Sequence, residues 1–359
     1  MSLALFSKLA RHHKRLGFLP TTRKIHYILS VLVGELYRKR GMGPYGPRLI
    51  EITLTNRCQC RCVHCYNEKA PAVSQASELS SGEIALLLKD ASRLGFTEVN
   101  FTGGEPLMRG DIMELIRAAR AARMLPKMNT NGILLTDAVV KSLKHSGLSW
   151  CAVSIDSKDF LEHDKLRGYE GCFHLAAEGI RRLVDHGIPA SITTYVRRNN
   201  LANGHLSAII DMGHSLGVET VRILFPVPIG GFENAQCEVL NQQERQKIRK
   251  LLSDPLVTME SPKENTRCTA AVTKVNVMPD GSVTPCVFVP MGYGNVRQER
   301  LGTIWKRMAE FDSMWKPAGQ CPMCDEAFRE KIMESSRLFP LLRPDLAPRP
   351  ILAKAQKTG

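Results

Sequence analysis

Residues 48–65 read RLIEITLTNRCQCRCVHC. The first eight alternate between apolar and polar side chains, the period of a half-buried strand. Cys58, Cys62 and Cys65 follow at once in the spacing C-x3-C-x2-C, with Cys60 between the first two. This strand and its thiol-bearing loop open a regular pattern. Ser80-x-x-Glu83 reads as a capping box that starts a helix ending near Leu94, with Gly95 as its stop. Residues 98–102 read as a second strand, followed by a helix near 111–122. A short third strand covers 127–130, and a helix over 137–145 ends at Gly147. Residues 149–155 are an apolar fourth strand, a helix spans about 173–185, and 190–196 is the fifth strand. A helix over about 203–216 leads to the sixth, 220–225. Six strands alternating with helices mark parallel βαβ units. Their spacing predicts an α/β fold, a partial (β/α)6 TIM-like barrel over residues 48–235 rather than a closed eightfold one. In such folds the working residues sit on loops at the C-terminal ends of the strands.

After residue 225 the alternation fails, and a smaller region over 236–330 is expected. It holds a turn at Pro279-Asp280-Gly281 between strand-like runs at 273–278 and 282–289. The 359 residues carry 49 Lys+Arg against 35 Asp+Glu, a formal charge of +14. Residues 1–50 hold +9 of this, residues 329–359 hold +4, and the middle is nearly neutral at +1. Residues 1–47 form a basic extension in which Ile25, Ile28, Leu29, Leu32 and Leu36 recur at helical spacing. Such a helix could pack across the end of the domain, lie on an anionic membrane surface, or face an acidic substrate or leader peptide. Residues 331–359, with Pro340, Pro344, Pro348 and Pro350, read as an extended basic tail. An apolar content of 43% excludes a wholly disordered chain. No run of 18 apolar residues is present to span a membrane. A neutral body with 6% aromatics lacks the basic and aromatic interleaving of a nucleic-acid surface, and no nucleic acid is expected as a partner. The expected location is cytoplasmic, with peripheral membrane contact through residues 1–47 as an option.

Eleven cysteines in a long chain with no convincing signal peptide point to metal ligation in a reducing compartment. Three thiolates can hold three irons of a [4Fe–4S] cluster and leave the fourth iron open. Zinc would take a fourth ligand, for which Cys60 or His64 would serve, so spacing alone leaves both metals open. Further segments stand at the ends of successive strands. Gly103-Gly104-Glu105-Pro106 follows the second, Thr130-Asn131-Gly132 ends the third, Ser154 and Asp156 end the fourth, and Arg167-Gly168 lies beyond it. In this order, over about residues 49–225, they resemble the radical S-adenosylmethionine (radical SAM) superfamily. The resemblance implies a [4Fe–4S] cluster on Cys58, Cys62 and Cys65 that binds SAM at its open iron. It also implies that Gly103, Gly104 and Glu105 meet the SAM amino group, Asn131 the ribose, and Ser154 and Arg167 the carboxylate. Paired glycines allow close backbone approach, and a guanidinium fork is shaped for a carboxylate. Cys60 departs from the family pattern, and His64 stands where an aromatic residue beside adenine is common.

Cys268, Cys286, Cys321 and Cys324 form C-x17-C-x34-C-x2-C. This resembles the start of the SPASM extension, without its later C-x5-C-x3-C part, and so the shorter twitch-like form with one auxiliary [4Fe–4S] cluster. A zinc ribbon is the alternative. Four thiolates would leave no open iron, which favours electron transfer. Cys237, on the loop after the sixth strand, is the candidate catalytic hydrogen-atom donor, while Cys151 reads as core and Cys172 as a helix start. The implied enzyme is a radical SAM oxidoreductase or maturase that generates a 5′-deoxyadenosyl radical and abstracts hydrogen. Net oxidation or cross-linking of a peptide or natural product is expected, with a small anionic metabolite, lipid or cofactor precursor as the other substrate class. A zinc-binding scaffold or nucleic-acid-binding protein is the reading from a different class. A low-potential donor such as flavodoxin or ferredoxin is the implied electron partner.

Overall fold

The computed structural model describes residues 47–68, 75–201, 204–259, 268–309 and 320–338. β1 (Leu49–Thr53), β2 (Glu98–Thr102), β3 (Leu125–Thr130), β4 (Trp150–Ser154), β5 (Ala190–Tyr195) and β6 (Thr220–Leu224) lie side by side in sequence order, all parallel. Parallel neighbours need crossovers. Here these contain α1 (Ser81–Leu94), α2 (Ile112–Ala121), α3 (Asp137–Ser146), α4 (Phe160–Arg167), α5 (Cys172–Asp185) and α6 (His205–Ser215). The chain is an α/β protein with a partial TIM-like barrel. No helix among the described residues is long and apolar enough to cross a membrane.

Each strand has an apolar and a polar face. Ile50, Ile52, Val99, Phe101, Val153, Ile192 and Val221 are at most 1% exposed and share one core with Ile84, Leu88, Ile116, Leu143, Ile180 and Ile209 of the helices. The alternate residues include Glu51, Glu98, Asn100, Lys127, Asn129, Thr193 and Arg222. A parallel sheet covered on both faces is apolar on both, so this polar side is the concave, lumen side. Its charges are paired: Glu98 faces Arg48 at 3.2 Å and Lys127 at 2.8 Å, and Glu51 faces Lys274 at 2.8 Å. Lys127 and Arg222 also lie over the Trp150 ring, at 5.8 and 5.1 Å from its centroid, a favourable cation–π geometry.

Three features differ from the sequence reading. The stretch after β4 contains α4, whose residues FLEHDKLR carry no continuous apolar stripe to announce it. Asp159 starts it, accepting hydrogen bonds from the amides of Leu161 (2.9 Å) and Glu162 (3.2 Å). Second, the region after β6 extends the same sheet. β7 (Val257–Met259) pairs parallel with β6, β8 (Lys274–Val277) pairs parallel with β1, and β9 (Val283–Thr284) closes a hairpin on β8. The order is β7-β6-β5-β4-β3-β2-β1-β8-β9. Third, beyond α7 (Gln242–Lys250) and α8 (Leu301–Ala309), α9 (Glu326–Leu338) runs through residues expected to be extended. The basic extension up to residue 46 and the prolines of the tail lie outside the described residues.

Candidate functional site

The loop leaving β1 is held from three directions. Gly104 and Glu105, after β2, donate backbone hydrogen bonds to the carbonyls of Thr55 and Arg57 (2.7 and 2.8 Å). Arg61 and Val63 donate to the carbonyls of Arg167 and Leu166 at the end of α4 (2.9 and 3.0 Å), and Gly231, after β6, donates to Cys65 (2.9 Å). The chains come too close for side chains. A Cβ on Gly104 would stand 2.1 Å from the Arg57 carbonyl oxygen, and one on Gly230 would stand 2.3 Å from that of Cys65. The GGEP turn thus needs glycine for contact with the cysteine loop, independently of any ligand.

On this loop Cys58 is exposed, Cys62 and Cys65 are half-buried, and Cys60 is buried. The Asn131 side-chain amide donates to Cys58 Sγ, and Arg167 Nη1 donates to Cys62 Sγ, each at 3.7 Å. Donors aimed at sulfur favour the thiolate. The hydrogen bond with Cys60, reinforced by the Arg167 charge, lowers the Cys62 thiol to about 6 against burial. Burial pushes Cys65 up to about 11. Cys60 keeps its proton, because it is hydrogen-bonded to Cys172, Cys58 and Cys62. Cys172, the first residue of α5, is lowered to about 5 by Cys60, with His163 adding to the effect. Sequence reasoning missed Cys172 as a neighbour of this loop. The surplus of thiols over the motif was the only signal for it.

Glu105 is fully buried. One carboxylate oxygen accepts from the Leu107 amide (3.1 Å) and the Thr130 hydroxyl (2.8 Å), the other from the Asn131 amide (2.8 Å). Burial still pushes it up to about 7. With about four acceptor sites on a carboxylate, one stays open. Glu105 therefore ties the GGEP turn to the end of β3 and places Asn131 beside Cys58. Ser154 ends β4 opposite Thr193. Beyond it, the buried Asp156 contacts Arg167 at 2.7 Å and His64 Nε2 at 3.4 Å. The His64 ring lies 4.5 Å from that of Tyr195, and burial lowers it to about 4, so it is neutral at physiological pH. Cys237 lies on the exposed turn Gln236–Glu238, beside Arg198.

The second thiol set also comes together. Cys321 is hydrogen-bonded to Cys324, and both Cys268 and Cys286 lie close enough to feel the charge of Cys321. Burial pushes Cys268 up to about 11, whereas Cys324 is lowered by Cys321, with Arg245 and Arg329 adding to this. Tyr66, next to Cys65, meets Phe288, two residues after Cys286, edge-on at 5.9 Å. The loop that carries Cys65 and the loop that carries Cys286 therefore meet at this ring pair. Among the described residues, no three Cys, His, Asp or Glu side chains converge on a point to hold a single ion. An iron–sulfur cluster bonds its thiolates at separate irons, and two groups of neighbouring thiols suit that donor chemistry.

Residues 52–202 match the radical SAM superfamily, and residues 268–325 match the SPASM iron–sulfur cluster-binding domain. The chain belongs to the radical SAM superfamily. The cofactors of this radical SAM enzyme are SAM, a [4Fe–4S] cluster and an auxiliary iron–sulfur cluster. It is 29% identical over 313 residues to the AdoMet-dependent heme synthase of Nitratidesulfovibrio vulgaris (strain Hildenborough), covering 77% of this chain and 84% of that protein. It is 26% identical over 308 residues to the PqqA peptide cyclase of Gluconobacter oxydans, covering 80% and 85%. Among solved structures, native anSMEcpe with bound AdoMet superposes with a TM-score of 0.62 at 15% identity, over 82% of this chain and 98% of that one. At that identity the likeness concerns the fold.

Proposed function

We propose that this radical SAM enzyme carries out a net oxidation, with Cys58, Cys62 and Cys65 holding the SAM-binding cluster and Cys268, Cys286, Cys321 and Cys324 the auxiliary one. One observation carries the reading. The loops after β2, β4 and β6 converge on the Cys58–Cys65 loop, and the loop that carries Cys286 meets it where Phe288 packs on Tyr66. When bound, SAM and its cluster supply a 5′-deoxyadenosyl radical through reductive cleavage of the sulfonium, with the electron drawn from flavodoxin or ferredoxin.

The chain's own residues bind and orient. The Gly103-Gly104 backbone and the open acceptor site of Glu105 suit the SAM ammonium. Arg167 Nε, buried and without a hydrogen-bond partner, suits its carboxylate with Ser154 alongside. Asn131 donates to Cys58 and would meet the ribose. Four thiolates at the auxiliary site leave no iron free for substrate, which suits an electron acceptor.

For the substrate we favour a carboxylate-bearing cofactor precursor of the iron-porphyrin kind. The AdoMet-dependent heme synthase aligned over three quarters of the chain supports this. A peptide is the second reading, supported by the PqqA peptide cyclase alignment.

Anaerobically reconstituted protein is expected to hold about eight irons and eight labile sulfides, falling to about four in Cys268→Ala/Cys286→Ala. Formation of 5′-deoxyadenosine should vanish in Cys62→Ala. Stoichiometric zinc without visible charge-transfer absorption would overturn both assignments. Titration with iron coproporphyrin should shift its absorption band; an unshifted band beside tight binding of a precursor peptide would favour the second reading.

A further inference from the structure

Asp156 is joined to several of the elements around the first thiol loop. Its backbone amide donates to His163 Nδ1 on α4 (3.1 Å), and its Oδ1 accepts from the amide of Tyr195 on β5 (2.9 Å). Its Oδ2 contacts Arg167 Nη2 at 2.7 Å and His64 Nε2 at 3.4 Å. The residue is 1% exposed. A carboxylate held by several elements at once cannot follow its partner, so the partner must follow it. That partner is Arg167, whose guanidinium is itself buried. One arm lies on Asp156 and the other donates to Cys62 Sγ at 3.7 Å. The third donor, Nε, is buried with no hydrogen-bond partner. An unpartnered buried donor calls for an explanation, and an acceptor brought by a ligand supplies one. A rigid planar fork pinned on one arm presents its remaining edge in one direction only.

We infer that Asp156 is a positioning residue: it fixes the Arg167 guanidinium so that the free Nε donor is preset for the carboxylate of SAM. The inference rests on the proposed role of Arg167 in SAM binding. Asp156 would act on SAM through Arg167, which it contacts at 2.7 Å. Groups standing one step behind a ligand commonly change affinity by about ten- to a hundredfold when removed.

The test is SAM affinity by equilibrium dialysis on anaerobically reconstituted full-length protein, together with the electron paramagnetic resonance spectrum of the reduced cluster with and without SAM. Asp156→Asn, nearly isosteric, should keep the iron content and far-UV circular dichroism of the wild type. Its SAM dissociation constant should rise about tenfold or more, and the SAM-induced spectral change should be lost at a concentration that saturates the wild type. Should Asp156→Asn lose iron, Asp156→Ser, smaller than the native residue, carries the same expectation. Adding Asp156→Asn to Arg167→Lys should weaken binding no further, because residues acting as one unit are not additive. Wild-type affinity in a folded Asp156 variant, or losses that add in the double variant, would overturn the inference. Unchanged SAM affinity in Arg167→Lys alone would instead refute the role given to Arg167.

Discussion

At Gly104 a single missing Cβ decides whether the cysteine loop can close. A methyl group there would meet the Arg57 carbonyl oxygen at 2.1 Å, and a main-chain oxygen hydrogen-bonded into the turn cannot swing aside as a side chain could. Gly104→Ala should force the two loops apart at a cost of about 1–3 kcal/mol, the usual range for overpacked sites. The strands do not depend on this contact. We expect far-UV circular dichroism close to wild type and an iron content per chain lowered several-fold after reconstitution. Wild-type iron content would show that the loops can give way. The paired glycines were legible as a site of close approach, but the partner was not, because the approach of one loop to another is a tertiary fact. Asn131 tells the same story. Its place at the end of β3 follows from the strand pattern, whereas its hydrogen bond to Cys58 depends on Glu105 holding the Asn131 amide.

Among the elements, α1 shows how a local signal acquires a distant partner. Ser80 and Glu83 form the reciprocal capping box that their spacing predicts. Arg297, on the loop after β9, then binds Glu83 with Nε at 2.6 Å and Nη2 at 3.2 Å, and its guanidinium also donates to the carbonyls of Ser77 (3.0 Å) and Glu78 (3.1 Å). The hydrogen bond with Arg297 holds Glu83 at about 2, with Ser80 adding to the effect and burial opposing it. The folded value lies below the ordinary carboxylate value of about 4.3. The stabilisation is therefore complete above that pH and is lost as pH falls towards about 2. Both side chains are about one-third exposed, and screening limits the pair to about 1 kcal/mol at most. Glu83→Gln keeps the cap and removes the charge. Its melting temperature at pH 7 should fall by about 2–3 °C, and the gap should narrow as pH drops below about 4.3. A gap unchanged down to pH 3 would refute the ion pair as its source. Helices with strong caps were legible, and α4 was not, since its start depends on Asp159 alone and its packing on the loop it supports.

On the scale of the molecule, one sheet carries both thiol sets. β8 pairs with β1 from Leu49↔Lys274 to Ile52↔Val277, while β7 covers β6 at the other edge. The region that brings the second thiols thereby occupies both edges that an open barrel would leave bare, and bare edges invite pairing with other chains. The sequence marks the strand at 273–278 and its turn, yet a strand's neighbour far away in the chain has no local signature. Asn276 locks the junction. It is fully buried, accepts from the Thr53 hydroxyl (3.0 Å) and donates to the Thr284 hydroxyl (3.1 Å). Asn276→Val would remove the acceptor of the buried Thr53 hydroxyl, at a cost of about 1–3 kcal/mol, while Thr284 keeps its hydrogen bond to the Cys286 carbonyl (3.1 Å). A continuous sheet couples the two regions, so this loss should spread beyond the junction. In an anaerobic thermal melt of the reconstituted variant, visible absorption and far-UV circular dichroism should disappear in a single transition. Its midpoint should lie about 2–12 °C below wild type, at roughly 2–4 °C per kcal/mol. A variant that bleached half of its visible absorption at a lower temperature, while the remaining half and the dichroism persisted, would show that the auxiliary-cluster region unfolds independently of the barrel.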